Sequence, residues 1–289
     1  MENIEERSQI MPQGLTLTIG LNSVDPAHYG GWSGNLRACE ADAEDMAEIA
    51  KSRHFTVQTL LTASATRAKV ISEITKAATT LKSGDIFLLS YSGHGGQVPD
   101  LNGDELDDHM DETWCLYDGQ LIDDEIYNLL GKFVAGVRIL VFSDSCHSGT
   151  VVKQAYYQGT VAARSATPST TEVKYRYMPS PIILRTYKQN KAFYDPILAN
   201  KTLKESREAV RASALLISGC QDNQLSADSN FNGLFTSNLL RVWNNGQFEG
   251  DYRRFHKAIK RNMPPDQTPN YFRVGAIDPN FEKQPPFTV

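Results

Sequence analysis

Apolar runs of strand length alternate with amphipathic segments of helix length in the first half of this chain, and this rhythm constrains its fold more than any other feature. The strand-like runs lie at 15–21 and 55–61, and within DIFLLSYSGHGG (85–96) and VRILVFSDSCHSG (137–149). The helix-like segments lie at 35–51, 67–81 and 122–133. Parallel strands need long, right-handed crossover connections. The rhythm therefore predicts an α/β fold of three layers, with helices on both faces of a mostly parallel central sheet.

The second half of the chain is less regular. From about residue 151 to 212 the periodicity is lost and Ser, Thr, Pro, Tyr and basic residues accumulate. This composition predicts a long surface insertion. A strand at 214–220 and helices at 233–243 and 252–261 are predicted beyond it. We expect one domain over residues 1–289. Its first portion, at about 10–150, contains YSGHGG and SDSCHSG; the insertion occupies about 151–212, and a last ordered portion spans about 213–289.

Composition excludes several classes of function. The formal net charge is −5, with no clustered excess of Lys and Arg, so no nucleic-acid partner is expected. There is no apolar run long enough to span a membrane, and the acidic first residues are unlike a secretory signal. The four cysteines include no CxxC pair, which argues against a zinc or redox centre. We expect protein or peptide partners, no membrane association and a cytoplasmic location; a monomer is compatible with these features.

Two loops at predicted strand ends carry reactive residues. YSGHGG contains His94 and SDSCHSG contains Cys146, and sites in parallel sheets gather beyond the carboxyl ends of the strands. A thiol is only slightly ionised at neutral pH, so a nucleophilic cysteine needs a nearby base. His94 is the preferred base and His147 an alternative. The N–H groups of Gly95 and Cys146 are expected to donate hydrogen bonds to the oxyanion of the reaction. The plainer alternative is that Cys146 is an inert buried cysteine.

YSGHGG followed by SDSCHSG resembles the His and Cys signatures of metacaspases and bacterial caspase-like proteins, also called orthocaspases. His94 precedes Cys146 by 52 positions, close to the roughly 50 found in caspases. The similarity extends to NLRACEADAEDM, LIDDEIYNLL and LLISGCQDNQLSADSNFNGLFTSNLL. The resemblance implies a caspase-like fold and a cysteine endopeptidase that uses a Cys146–His94 dyad, forms a thioester and requires no cofactor for the chemistry. A catalytically silent caspase-like scaffold is the alternative.

The resemblance also implies a pocket for the residue before the scissile bond, lined by Cys39, Asp42, Ser92 and Asp144. A recessed pair of carboxylates favours a guanidinium or ammonium group, so cleavage after Arg or Lys is expected. Alternatively, Asp42 faces solvent on an amphipathic helix and Asp144 caps a neighbouring helix. Self-processing could occur at any of several basic residues of the insertion: Arg164, Lys174, Arg176, Arg185 and Lys188.

The acidic segment DLNGDELDDHMDE only partly imitates a calcium loop. Asp100, Asn102 and Asp104 match the first three ligand positions of an EF-hand, but Glu105 and Asp111 stand where Gly and Glu are needed. A dedicated calcium-binding module is therefore a weaker hypothesis than a peptidase.

Calcium is nevertheless a possible cofactor, because many metacaspases require it. The resemblance maps their site onto Asp111, Asp123 and Asp124. Lys153 stands where a further acidic ligand is expected. A solvated acidic loop, with Asp123 capping the next helix, is the alternative.

Overall fold

The computed structural model describes residues 11–103, 109–145, 175–219, 228, 232–264 and 267–289. In chain order, its strands are β1 (Gly14–Gly20), β2 (Phe55–Leu61), β3 (Ile86–Ser92), β4 (Gly95–Pro99), β5 (Met110–Leu116), β6 (Gly119–Ile122), β7 (Arg138–Asp144), β8 (Ser213–Ser218) and β9 (Asn270–Gly275). Six of them form the central sheet in the order β2-β1-β3-β7-β8-β9, in which only the β8–β9 pair is antiparallel.

Helices cover both faces of this sheet. They are α1 (Cys39–Ser52), α2 (Arg67–Thr80), α3 (Asp123–Leu130), α4 (Ser180–Gln189), α5 (Lys191–Leu198), α6 (Lys201–Lys204), α7 (Leu234–Trp243), α8 (Tyr252–Arg261) and α9 (Pro279–Lys283). Along β3, Phe87 and Leu89 pack with α2 and α3, while Ile86 and Leu88 pack with α1, α7 and α8. Every residue of β3 is buried, which explains its continuous apolar run. The prediction of three layers around a mostly parallel sheet is confirmed.

Helix α1 begins later than its apolar spacing predicts. The helical pattern suggests a start near residue 35, but the first helical residue is Cys39. The Asn22 side chain accepts hydrogen bonds from the Cys39 and Glu40 N–H groups at 2.9 and 3.3 Å. The start of the helix is therefore capped by a residue far away in sequence, which local pattern does not reveal.

The second half of the expected insertion contains α4, α5 and α6, although its sequence shows no clear helical periodicity. These helices are short, and Pro196 lies inside α5, so their apolar stripes are too brief to stand out in the sequence. Ile183 of α4 and Tyr194 and Leu198 of α5 are buried on the inner faces of these helices. Residues 146–174 lie outside the described part of the chain.

Strands β4, β5 and β6 form a small antiparallel sheet that the sequence analysis did not predict. Glycine and proline occupy three of the five positions of β4, which masks its strand character. Val98 and Ile122 of this sheet pack against Tyr194 and Leu198 of α5. The small sheet therefore ties the helices of the insertion to the loop that carries His94. Among the described residues, no helix is long and apolar enough to cross a membrane.

Candidate active site

His94 lies between β3 and β4, at the carboxyl end of the central sheet. Its side chain is buried, with 5% of its surface exposed. The Tyr91 hydroxyl and the Cys115 N–H both donate to the His94 carbonyl oxygen, at 2.7 and 2.9 Å. The Trp32 ring packs on the imidazole with 4.7 Å between the ring centroids. These contacts fix both the main chain and the ring of His94.

The hydrogen bonding of the His94 ring identifies the nitrogen that can act as a base. Nε2 lies 2.8 Å from the Gly34 carbonyl oxygen. A carbonyl only accepts, so Nε2 carries the proton of the neutral ring and Nδ1 has the lone pair. Within the described ranges Nδ1 has no well-aligned hydrogen-bond partner, and the main chain of Tyr177 lies near enough to the ring to influence the pKa of His94. Burial lowers the pKa of His94 to about 4, so the ring is neutral at pH 7.

Ser92 and Asp144 are register partners at the ends of the parallel strands β3 and β7. Neighbouring strands lie about 4.8 Å apart, so the segments that follow β3 and β7 leave the sheet side by side. In the sequence, His94 is two residues beyond Ser92 and Cys146 is two residues beyond Asp144. Cys146 and His147 lie outside the described residues, and the pairing of Cys146 with His94 therefore stays a prediction.

Gly95, one of the two expected oxyanion donors, is held against a main-chain carbonyl. Its N–H donates to the Arg176 carbonyl oxygen at 3.0 Å, and its own carbonyl accepts from the Met178 N–H at 2.8 Å. Gly95 and Tyr177 form an isolated parallel bridge. The N–H that was assigned to a reaction intermediate thus already binds a peptide carbonyl.

The four residues predicted to line a substrate pocket lie together, and the Arg176 guanidinium is bound among them. Arg176 is 0% exposed. Its Nη2 lies 2.8 Å from Asp42 Oδ2, and its Nη1 lies 3.0 Å from Asp144 Oδ2. Nη1 also donates to Ser92 Oγ at 2.7 Å, and that hydroxyl donates to Asp42 Oδ2 at 2.7 Å. Cys39 is buried one turn before Asp42 on α1.

Asp228 supplies a third carboxylate that the sequence analysis did not identify. Its Oδ1 lies 3.0 Å from Arg176 Nη2, and its Oδ2 accepts the Arg37 N–H at 2.9 Å. Asp228 follows β8, the neighbour of β7, so its place beyond a strand end was the signal that could have found it. We call Asp42, Ser92, Asp144 and Asp228 the acidic pocket.

Helix α7 holds two of these carboxylates in place. The Thr236 N–H and hydroxyl donate to Asp144 Oδ2 at 3.2 and 2.9 Å, so Asp144 caps α7 as well as contacting Arg176. Asp42 Oδ1 accepts the Gly233 N–H at 2.9 Å. Because Asp42 is only 1% exposed, the solvent-facing alternative is wrong. A Cβ at Gly233 would lie 2.5 Å from Arg176 Nη1 and from Asp144 Oδ2, so a larger residue there would displace these two groups.

The charges of the acidic pocket favour a bound cation. Three carboxylates surround one guanidinium. Burial raises the pKa of Asp42, and Arg176 opposes that shift. Burial would lower the pKa of Arg176, but the carboxylates, Asp144 foremost, hold it well above its usual value. Removal of the cation would leave several carboxylates close together in a poorly solvated site.

Cys39 and Cys115 are expected to be unreactive thiols. Both are buried free cysteines. Burial raises the pKa of the Cys39 thiol to about 12 and also raises that of Cys115. Neither forms an appreciable fraction of thiolate at neutral pH. Cys39 therefore contributes to the wall beside the acidic pocket rather than to reactivity.

The residues assigned to calcium lie at the small sheet. Asp111 is buried on β5, Asp123 and Asp124 begin α3, and Asn102 donates to Asp124 Oδ2 at 2.8 Å. Within the described residues, no group of three or more His, Cys, Asp or Glu side chains is arranged to hold a metal ion. Asp104 and Glu105 lie outside those residues. Calcium binding at Asp111, Asp123 and Asp124 stays a prediction.

Comparison with known proteins gives consistent results. Residues 15–286 match the family model Peptidase_C14, described as a caspase domain. Metacaspase-1 of Schizosaccharomyces pombe is 28% identical over 248 residues, which cover 77% of this chain and 57% of that protein. The chain thus spans just over half the length of this relative.

Solved structures that are similar to the chain include the following two. A crystal structure of a protein from Geobacter sulfurreducens has a TM-score of 0.87 and 62% identity, and the match covers 96% of this chain and 99% of that one. Caspase-1 from Spodoptera frugiperda has a TM-score of 0.55 with 9% identity, over 91% of this chain and 86% of that one. The second likeness shows a shared fold.

Proposed function

Because this chain belongs to the caspase-domain family, we propose that it is a cysteine endopeptidase that hydrolyses peptide bonds after Arg or Lys. The observation that carries the specificity is the acidic pocket, in which three carboxylates and a serine hydroxyl bind a guanidinium. Protein or peptide substrates follow from this activity.

The proposed base is Nδ1 of His94 and the proposed nucleophile is Cys146. The bond from Nε2 to Gly34 holds the ring with its lone pair on Nδ1. The shared register of Ser92 and Asp144 supports the approach of the two loops. Nδ1 takes the thiol proton, the thiolate attacks the carbonyl carbon, and the imidazolium then protonates the leaving amine. Water hydrolyses the resulting thioester.

Gly95 supplies one proposed oxyanion contact. Its N–H already binds a main-chain carbonyl oxygen, the same kind of atom that gains negative charge during attack. The Cys146 N–H is the second donor that we propose. We propose that the substrate residue before the scissile bond is Arg or Lys. Its carbonyl oxygen would accept the Gly95 N–H while its side chain occupies the acidic pocket.

Matched peptide substrates test this function. Cys146→Ala and His94→Ala, made separately, should each abolish cleavage of a peptide with Arg at the cleavage position. The unaltered enzyme should cleave Arg and Lys peptides and leave the matched Asp peptide uncut. Survival of cleavage in either variant would refute the dyad, and equal turnover of the Asp peptide would refute the specificity.

The alternative, a catalytically silent scaffold with the same fold, makes the opposite prediction for the Arg and Lys peptides. Such a protein would show no Cys146-dependent turnover with any of the three substrates. We favour the peptidase because His94 presents a neutral ring with Nδ1 aimed away from its Gly34 anchor, an arrangement that a scaffold does not require.

A further inference from the structure

The segment Tyr175–Met178 lies where the proposed function places a substrate. Its Arg176 side chain fills the acidic pocket, and its Arg176 carbonyl accepts the Gly95 N–H at 3.0 Å. Two positions later, the Met178 N–H donates to the Gly95 carbonyl at 2.8 Å. These two hydrogen bonds flank the residue Tyr177, and the first of them is made to the carbonyl of the Arg176–Tyr177 peptide bond.

A structural ion pair does not account for this arrangement. An ion pair alone would not determine where the main chain of Arg176 lies. The arginine side chain is long and flexible, so its guanidinium could reach the buried carboxylates from many main-chain positions. Here the carbonyl of the same residue also lies on the proposed oxyanion donor, beside His94. Side chain and main chain of Arg176 together match what a substrate residue before a scissile bond must do.

From this geometry we infer that the chain binds residues 175–178 as its own substrate and hydrolyses the Arg176–Tyr177 peptide bond. The inference rests on the proposed function. The Cys146 sulfur bonds to the Arg176 carbonyl carbon, the carbon–nitrogen bond to Tyr177 breaks, and His94 passes the thiol proton to the Tyr177 nitrogen. Water then cleaves the thioester, leaving a carboxylate on Arg176 and a free amine on Tyr177.

The reaction is intramolecular. Arg176 is 0% exposed, so the active site of another copy has no access to its bond in the folded chain. Until the bond is cut, the guanidinium also closes the acidic pocket to other substrates. Cleavage adds an α-carboxylate close to the carboxylates of that pocket, which disfavours retention of the product. On the other side, Met178 is buried with Tyr29 and Cys115 and keeps the new amino terminus attached to the fold.

Intact mass and amino-terminal sequencing of the purified full chain test the inference. We expect fragments 1–176 and 177–289, with a new amino terminus at Tyr177, and an intact chain in Cys146→Ala. Arg176→Lys should still be cut, whereas Arg176→Gln should be cut roughly a hundredfold more slowly or not at all. Arg185→Gln, at an exposed position of α4, is the matched control and should be cut like the unaltered chain.

The outcomes separate this inference from the proposed function. If the protein cleaves Arg peptides but its own chain stays intact at Arg176, the inference is wrong and the peptidase assignment stands. If neither peptides nor the chain are cut, both fall. Thermal unfolding shows whether Arg176→Gln is folded, and the results for the unaltered chain and Arg176→Lys decide the question without it.

A mixing experiment tests the intramolecular step. A Cys146→Ala chain incubated with active enzyme should remain intact at Arg176, because its bond is buried. Cutting of that chain as fast as the unaltered protein cuts itself would overturn this part of the inference.

Discussion

Gly34 lies directly against the His94 ring: a Cβ added to Gly34 would be 3.0 Å from His94 Cδ2 and 2.8 Å from the Trp32 ring. The same residue supplies the carbonyl that binds Nε2, and its φ of 55° favours glycine. Gly34 therefore determines both where the ring lies and which nitrogen is free to act as the base.

This relationship predicts that Gly34→Ala displaces the imidazole and lowers kcat by roughly a hundredfold. Gly31→Ala is the matched control, because Gly31 also has a positive φ, of 88°, but nothing lies within 4 Å of its added Cβ. Both variants should lose about 1 kcal/mol of unfolding free energy from backbone strain. Steady-state kinetics with an Arg peptide checks the difference, and equal kcat values for the two variants would contradict it.

Asp228 should contribute to the recognition of arginine. Asp228→Asn keeps an oxygen for the Arg37 N–H but removes one charged contact to the guanidinium, so kcat/KM for an Arg peptide should fall roughly ten- to hundredfold. Glu44→Gln removes a carboxylate from an exposed position of α1 and should have no such effect. A fall of similar size in both variants would point to general electrostatics instead of a specific contact.

Thiol labelling should single out Cys146. With a pKa of about 12, Cys39 is thiolate in roughly one molecule in a hundred thousand at pH 7, and Cys115 is also buried with a raised pKa. Peptide mapping after brief iodoacetamide treatment should therefore find label on Cys146 long before Cys39 or Cys115. The same peptide mapping measures the label on Cys220 in its own peptide. Equal, slow labelling of Cys146 would favour the scaffold alternative.

Sequence reasoning located those parts of the site that the sheet itself brings together. Ser92 and Asp144 end neighbouring strands in register, and Asp42 lies on the helix that packs against β3. The alternation of strands and helices predicts such a meeting, because all parallel strands end at one edge. The family resemblance supplied the roles.

The remaining features depend on contacts between distant segments. Arg176 is one of five basic residues of the insertion that were candidates for self-processing, and no local pattern distinguishes it from Arg185. What distinguishes Arg176 is the main-chain bridge between Tyr177, the next residue, and Gly95. Likewise, Asp228 meets the pocket only because β8 lies beside β7, and strand order cannot be obtained from hydrophobic periodicity.

Burial of the neutral His94 ring should make stability depend on pH. Because the folded pKa is about 4 and the ordinary value is 6.5, the unfolded chain binds more protons between these pH values, so stability is fully present above about pH 6.5 and falls towards pH 4. The loss is at most about 3 kcal/mol. Urea unfolding of Cys146→Ala, which prevents self-cleavage, should show this loss relative to Cys146→Ala with His94→Gln. Arg176 and Asp228, the charged groups that influence His94, are present in both proteins, so parallel pH profiles for the two would show that His94 is not the group responsible.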